Sequence, residues 1–296
     1  MTLIDAVIQG IIQGLTEFLP VSSSGHLSLY QHFTGIQGES SAMITVMMHI
    51  GTLFAVCAAF YKKIWELIKE FFSFVKDIFT GKFKWSEMNG NRRMIVMIVI
   101  SILPLFIFYI FRHFFTNISG DNDIVVEGLC FLYTSAILTI GTFTSRKNER
   151  EGRTLKTTQN LTVIDALIIG IFQGVALLPG VSRSGSTISG AQLTGMKRED
   201  SVEYSFILGI PVILAGALSE LMESGASAGA EVGALPLIVG MIVAAVTGYG
   251  AIALIKWLTK SDRFLIFAVY TLILGLAVTG IGIYEHVTGN FIYDML

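Results

Sequence analysis

"IDAVIQGIIQGLTEFLPVSSSG" at residues 4–25 and "IDALIIGIFQGVALLPGVSRSG" at 164–185 are two versions of one segment, identical at twelve of their 22 positions. Farther on, the "TG" at 34–35 recurs at 194–195, and Glu39 and Ser41 recur as Glu199 and Ser201. Each copy opens on a capping-box-like start, "TLID" and "TVID". The apolar stretches 4–19 and 164–178 are too short for a bilayer, which needs about 20 residues of helix. Each ends at a proline, Pro20 or Pro179, and runs into a Ser/Gly-rich turn. That pattern predicts two re-entrant helix pairs, 4–33 and 164–195, which dip into a membrane and return on the same side. Broken backbone is tolerated at that depth only where protein or water covers it.

The rest of the chain supplies the membrane. Of 296 residues, 53% are hydrophobic and only 14% charged, against roughly 25% charged in a soluble domain. Six stretches reach spanning length, at about 43–60, 94–111, 124–143, 205–222, 234–256 and 264–284. Lys and Arg mark the cytoplasmic side. Eight fall in 61–93, five in 144–163, two in 196–204 and three in 256–263, while the loops 112–123 and 223–233 hold only Arg112. Both termini are therefore expected outside the plasma membrane. Each half then holds one re-entrant pair and an odd number of spans, three, which inverts the second half relative to the first. The expected fold is an all-α polytopic membrane protein of two inverted-topology repeats, at 1–145 and 161–296, with the two turns meeting near the midplane. Many secondary transporters share that plan, so transport or lipid flipping is one functional reading.

Other segments say less. The start "MTLIDAVIQG" has neither the basic stretch nor the cleavage site of a signal peptide, so none is expected. Cys57 and Cys130 lie in apolar segments without a disulfide or metal-binding pattern. "IWELIKEFFSFVKDIF" at 64–79 has charge on one face and aromatics on the other, and reads as an interfacial cytoplasmic helix. No nucleic-acid partner is expected, and a homo-oligomer is left open.

The chemistry lies where the two copies differ. Glu17 is matched by Leu177, Ser23 by Arg183 and His26 by Ser186. A purely structural motif would keep the same polar groups in both copies. Here one turn holds an acid, a hydroxyl and an imidazole, and the other holds the cation. Ser22 and Ser24 recur as Ser182 and Ser184, which suits serines that cap backbone, and all four are expected beside a bound anion as diphosphate-binding residues. Gln13 lies one turn before Glu17 on the same helical face, yet it recurs as Gln173, so a structural and a ligand role stay equally open. The planar fork of Arg183 suits phosphate or carboxylate. "PGVSRSGST" at 179–187 adds the backbone N–H groups of Ser182, Ser184 and Gly185 at a helix start, a ready anion nest. An anion held there beside a serine, a histidine and a carboxylate is a layout for phosphoryl transfer. Ser23 would attack, with His26 in reach as base. Glu17, with Gln13, would hold a divalent cation, Mg²⁺ or Ca²⁺, on a diphosphate. Within a bilayer such a substrate is a lipid phosphate. His49 lies in a span beside Gly51, with structural and functional readings balanced. His32, His113 and His286 are read as interfacial and not catalytic.

These residues resemble a known family. "QGLTEFLPVSSSGH" (13–26) and "PGVSRSGST" (179–187) are similar to the two signature motifs of the undecaprenyl-diphosphate phosphatases of the bacitracin-resistance type. The resemblance extends along the chain through "HIGTLFAV" (49–56) and "EYSFILGIP" (203–211). It implies hydrolysis of a C55 polyprenyl diphosphate to the monophosphate and inorganic phosphate, which recycles the carrier lipid for cell-wall polymers. It further implies a divalent cation, bacitracin resistance and a site opening to the outer face. The family's motif acid, serine, histidine and arginine fall on Glu17, Ser23, His26 and Arg183. Its first motif position, Glu or Gln, falls on Gln13, which leaves one carboxylate fewer for a metal. "SSGH" (23–26) also resembles an element of the lipid phosphatases related to acid phosphatases. That superfamily needs a histidine six residues after its Ser-Arg, where this chain has Ser189.

Overall fold

The computed structural model describes residues 2–35, 39–110, 124–224, 233–289 and 291. Eleven α-helices fill most of them: α1 (Leu3–Phe18), α2 (Ser23–Thr34), α3 (Glu39–Ala59), α4 (Tyr61–Phe79), α5 (Gly90–Ile110), α6 (Val125–Arg150), α7 (Val163–Val175), α8 (Arg183–Leu193), α9 (Arg198–Ser224), α10 (Ala234–Lys260) and α11 (Leu265–Thr288). The Lys156–Met196 bridge is the one β-type pairing among the described residues. Five helices, α5, α6, α9, α10 and α11, are long and apolar enough to cross a membrane. The pair formed by α3 and α4 supplies a sixth apolar stretch, bent by 88° at Phe60. The protein is thus a multi-pass helical membrane protein. The loop 112–123, with Arg112 and His113, and residues 225–232 of the other weakly basic loop lie outside the described residues.

Several helices outrun the spans expected from sequence. Expectation stopped one span at 143 and began another at 205, where the first charged residues appear. α6 continues to Arg150 and α9 begins at Arg198, because the charged turns bond to one another beyond the apolar zone. Arg198, at the start of α9, bonds Glu149 on α6 at 2.5 Å, Ser145 at 3.2 Å and Asp262 in the α10–α11 turn. Arg146 joins the same Asp262.

The two copies of the repeated segment fold alike. Thr2 with Asp5, and Thr162 with Asp165, close complete capping boxes at the starts of α1 and α7. α1 then lies along α10, and α7 lies along α5. The equivalent glycines Gly10 and Gly170 make both approaches. A Cβ at Gly10 would sit 2.8 Å from the carbonyl of Gly240 on α10, and one at Gly170 would sit 2.9 Å from the Pro104 ring on α5. Small residues at such crossings let helix backbones meet where lipid offers no hydrophobic gain for association. The largest core cluster runs from Phe18 and Val21 through Ile169, Ile188, Tyr204 and Phe206 to Ile255, so packed side chains surround both turns.

Candidate active site

The last turn of α1 carries Glu17, and Gln13 one turn earlier donates to its Oε2 at 2.9 Å. The chain turns at Leu19–Ser22 and enters α2, whose N-cap is Ser22; its hydroxyl accepts from Gly25 N at 3.2 Å. Ser22 sits at φ +74°, a conformation that costs a non-glycine residue on the order of 1–3 kcal/mol. The second turn is relaxed at the matching place. Ser182 caps α8 at φ −70° and accepts from Gly185 N at 3.0 Å. The two turns are then stitched reciprocally. Ser24 Oγ accepts from Gly180 N at 3.2 Å, and Ser184 Oγ donates to the Leu19 carbonyl at 3.3 Å. Ser22, Ser24, Ser182 and Ser184 are therefore occupied with backbone.

Arg183, the first residue of α8, reaches across this seam. Its Nη2 donates to Glu17 Oε1 at 2.6 Å and its Nη1 to the Ser205 carbonyl of α9 at 3.4 Å. The guanidinium lies over Gly209, where a Cβ would come within 2.9 Å of its central carbon. Thr187 Oγ1 holds Arg183 from below, bonding its carbonyl at 3.0 Å and Ser205 Oγ at 2.6 Å. Ser23 Oγ donates to Glu17 Oε2 at 2.8 Å, and His49 Nε2 of α3 stands 3.9 Å from the same oxygen. Glu17 is only 8% exposed. A buried carboxylate needs such compensation, since an unpaired charge there costs several kcal/mol.

The pairing of Ser23 with His26 expected from sequence is not made. His26 Nδ1 meets the Ser22 carbonyl at 2.7 Å, and Nε2 meets the Tyr270 hydroxyl of α11 at 2.7 Å. The ring also stacks on Tyr270, with centroids 5.8 Å apart. One helical turn beyond Ser22, the imidazole is drawn towards α11, while Ser23 turns back to Glu17. His32, expected at an interface, is buried instead against Glu285 at 3.0 Å, and His286 is exposed.

A cavity of about 180 Å³ opens over the seam. Glu17, Ser22, Ser23, Ser24, His49, Ser182, Arg183 and Ser184 form its polar side. Sequence reasoning left His49 open and passed over Ser205, Gly209 and Tyr270. Nothing local marks these three, because they join the site through α9 and α11, far along the chain. A carboxylate that positions a hydroxyl, next to a guanidinium, suits an anion at which a serine is activated.

Among the described residues no three His, Cys, Asp or Glu side chains converge as a metal cage. The oxygens present are those of Glu17 and the Gln13 Oε1, which is buried without a hydrogen-bond partner. That set fits a hard cation held by one carboxylate and substrate phosphate oxygens, as Mg²⁺ commonly is. The repeat-matched Gln173 Oε1 is also unpartnered, so the case for Gln13 rests on its place beside Glu17.

Fold and site together define a polytopic membrane protein with a polar centre where two helix–turn–helix units meet, its charges and donors suited to an anion. The sequence profile described as "Bacitracin resistance protein BacA" matches residues 6–277, and the chain belongs to that family. Its relatives include proteins named undecaprenyl-diphosphatase. That of Alkaliphilus metalliredigens is 34% identical over 276 residues, covering 93% of this chain and 97% of the relative. That of Bacteroides fragilis is 35% identical over 274 residues, covering 92% and 95%. That of Desulfatibacillum aliphaticivorans is 37% identical over 279 residues, covering 93% and 97%.

Proposed function

We propose that the protein hydrolyses undecaprenyl diphosphate to the monophosphate and inorganic phosphate at the seam between its two turns. The observation that carries this reading is the Glu17–Ser23–Arg183 cluster lining the cavity. Arg183 binds the diphosphate through N–H groups not spent on Glu17 and Ser205, aided by the N–H group of Ser184 at the start of α8, since that of Gly185 is taken by the Ser182 cap. Ser23 Oγ attacks the terminal phosphorus, and its proton passes to Glu17 Oε2, 2.8 Å away. The bond from that phosphorus to the bridging oxygen breaks, the prenyl monophosphate leaves, and water then releases phosphate from Ser23. Glu17 and Gln13 would hold a divalent cation, Mg²⁺ or Ca²⁺, together with the diphosphate, and such an ion would supply charge neutralisation there. His26 fixes the Ser22 carbonyl and hence the turn that presents Ser23.

In this proposal the protein lies in the plasma membrane as inverted repeats 1–145 and 161–296, with termini outside and the cavity opening outward. The reciprocal packing of α1 on α10 and of α7 on α5 supports the inverted arrangement. Hydrolysis on that side recycles the carrier lipid for wall polymers and underlies bacitracin resistance. The same packing favours a second reading, lipid flipping on a transporter-like scaffold. Phosphate release from undecaprenyl diphosphate by purified protein in detergent, titrated with Mg²⁺ and Ca²⁺, separates the two. Release supports the hydrolase; lipid translocation by reconstituted protein with no release supports the flippase.

A further inference from the structure

The cavity has an apolar side that the phosphoryl chemistry leaves unused. Ala176 and Val181, between α7 and α8, face Val212, Ile213, Gly216 and Ala217 of α9 there. At about 180 Å³ the space falls below the roughly 300–1,000 Å³ that encloses a drug-sized ligand. It accommodates a diphosphate and not a polyprenyl chain, so the chain must leave. α9 shows where. Gly209 lies under the Arg183 guanidinium, and Ile213 and Gly216 follow at i+4 and i+7 on the same helical face. At 1.5 Å per residue, Gly216 is about 10 Å along the helix from the arginine. Ile213 is buried, whereas Gly216 is exposed and a Cβ there would meet no atom within 4 Å. Beside it Leu214 and Leu218 are 46% and 52% exposed, as residues facing lipid are.

We infer that this side of the cavity is the prenyl-chain subsite. The isoprenoid chain of a diphosphate seated at Arg183 passes Ile213 and crosses the open notch at Gly216 into the bilayer. The inference rests on the hydrolase reading for its substrate class. Lipid tails are as apolar as leucine, so a chain moving from bilayer to protein gains little from burial. The notch acts by clearance, admitting a chain that a larger side chain would exclude.

The test uses full-length protein in detergent carrying Gly216→Trp. The control is Gly250→Trp on α10, where a Cβ also meets open space and whose residue does not line the cavity. Gly216→Trp is expected to lower kcat/KM for undecaprenyl and farnesyl diphosphate by about tenfold or more, mostly through KM. Isopentenyl diphosphate turnover by it, and all turnover by the control, should stay within about twofold. An equal loss on short and long substrates, or no loss on undecaprenyl diphosphate, overturns the subsite. A second arm needs no catalysis. A farnesyl diphosphate analogue with a diazirine in its first isoprene unit should crosslink to residues 212–218. Adducts there support the subsite even if the wild type releases no phosphate, a result that would sink only the hydrolase reading. Adducts confined to other helices overturn it however active the enzyme is.

Discussion

Glu17 answers to four groups at once: Gln13, Ser23, Arg183 and, at longer range, His49. Removing one member of the buried pair strands the other's charge, at about 3–5 kcal/mol. Glu17→Ala and Arg183→Ala should therefore each lower the melting temperature in detergent as well as stop phosphate release. The double variant should regain part of the lost Tm while staying inactive; strict additivity in the melts would show that the two charges are not coupled. Gly209 tests the arginine from the other side. Gly209→Ala should improve helix propensity by about 1 kcal/mol and still cut turnover by up to about a hundredfold, because the guanidinium must shift. An unchanged kcat with normal folding would contradict that placement. The repeat exposed Glu17, Ser23 and Arg183 in the sequence, since each is a functional side chain that the other copy replaces with a different one. The identity of His26 was legible by the same comparison but its partners were not. Tyr270 lies 244 residues away on α11, and no local pattern announces such a contact.

At the scale of elements, the ends of the helices are fixed by charge and the middles by small residues. Arg198 ties α6, α9 and the α10–α11 turn into one clamp, and within that turn Asp262 holds φ +53°. Arg198→Ala should leave Glu149 and Asp262 without this partner, lower the Tm and speed hydrogen exchange at 145–150 and 261–263. Protection unchanged in both segments would count against the clamp. The apolar stretches of the sequence located each spanning helix, with the end of α6 and the start of α9 off by seven residues, and α4 as an amphipathic helix with Trp65, Phe71 and Phe72 exposed. They misjudged the helix ends because hydropathy registers where the apolar zone stops and not where backbone hydrogen bonding stops.

Across the whole molecule, the two copies of one segment serve different ends with one scaffold. Residues common to both, such as Gly10 and Gly170 or Ser22 and Ser182, pack and cap. Residues unique to one copy meet at the seam and form the cluster. The proposed topology, which puts both termini outside, predicts that a cysteine tag at either end reacts with an impermeant maleimide on intact cells. Reaction at either end only after permeabilisation would reverse the topology. In the proposed reaction Ser23, held by Glu17, takes the phosphoryl group beside Arg183. The most direct test of that step is phosphate release from undecaprenyl diphosphate by wild type, Ser22→Ala and Ser23→Ala, each shown to be folded and assayed with saturating Mg²⁺ or Ca²⁺. The wild type should release one phosphate per lipid, Ser22→Ala should remain active, and Ser23→Ala should fall by about a hundredfold or more. Equal activity of the two serine variants, or no release by the wild type with either cation, would contradict it.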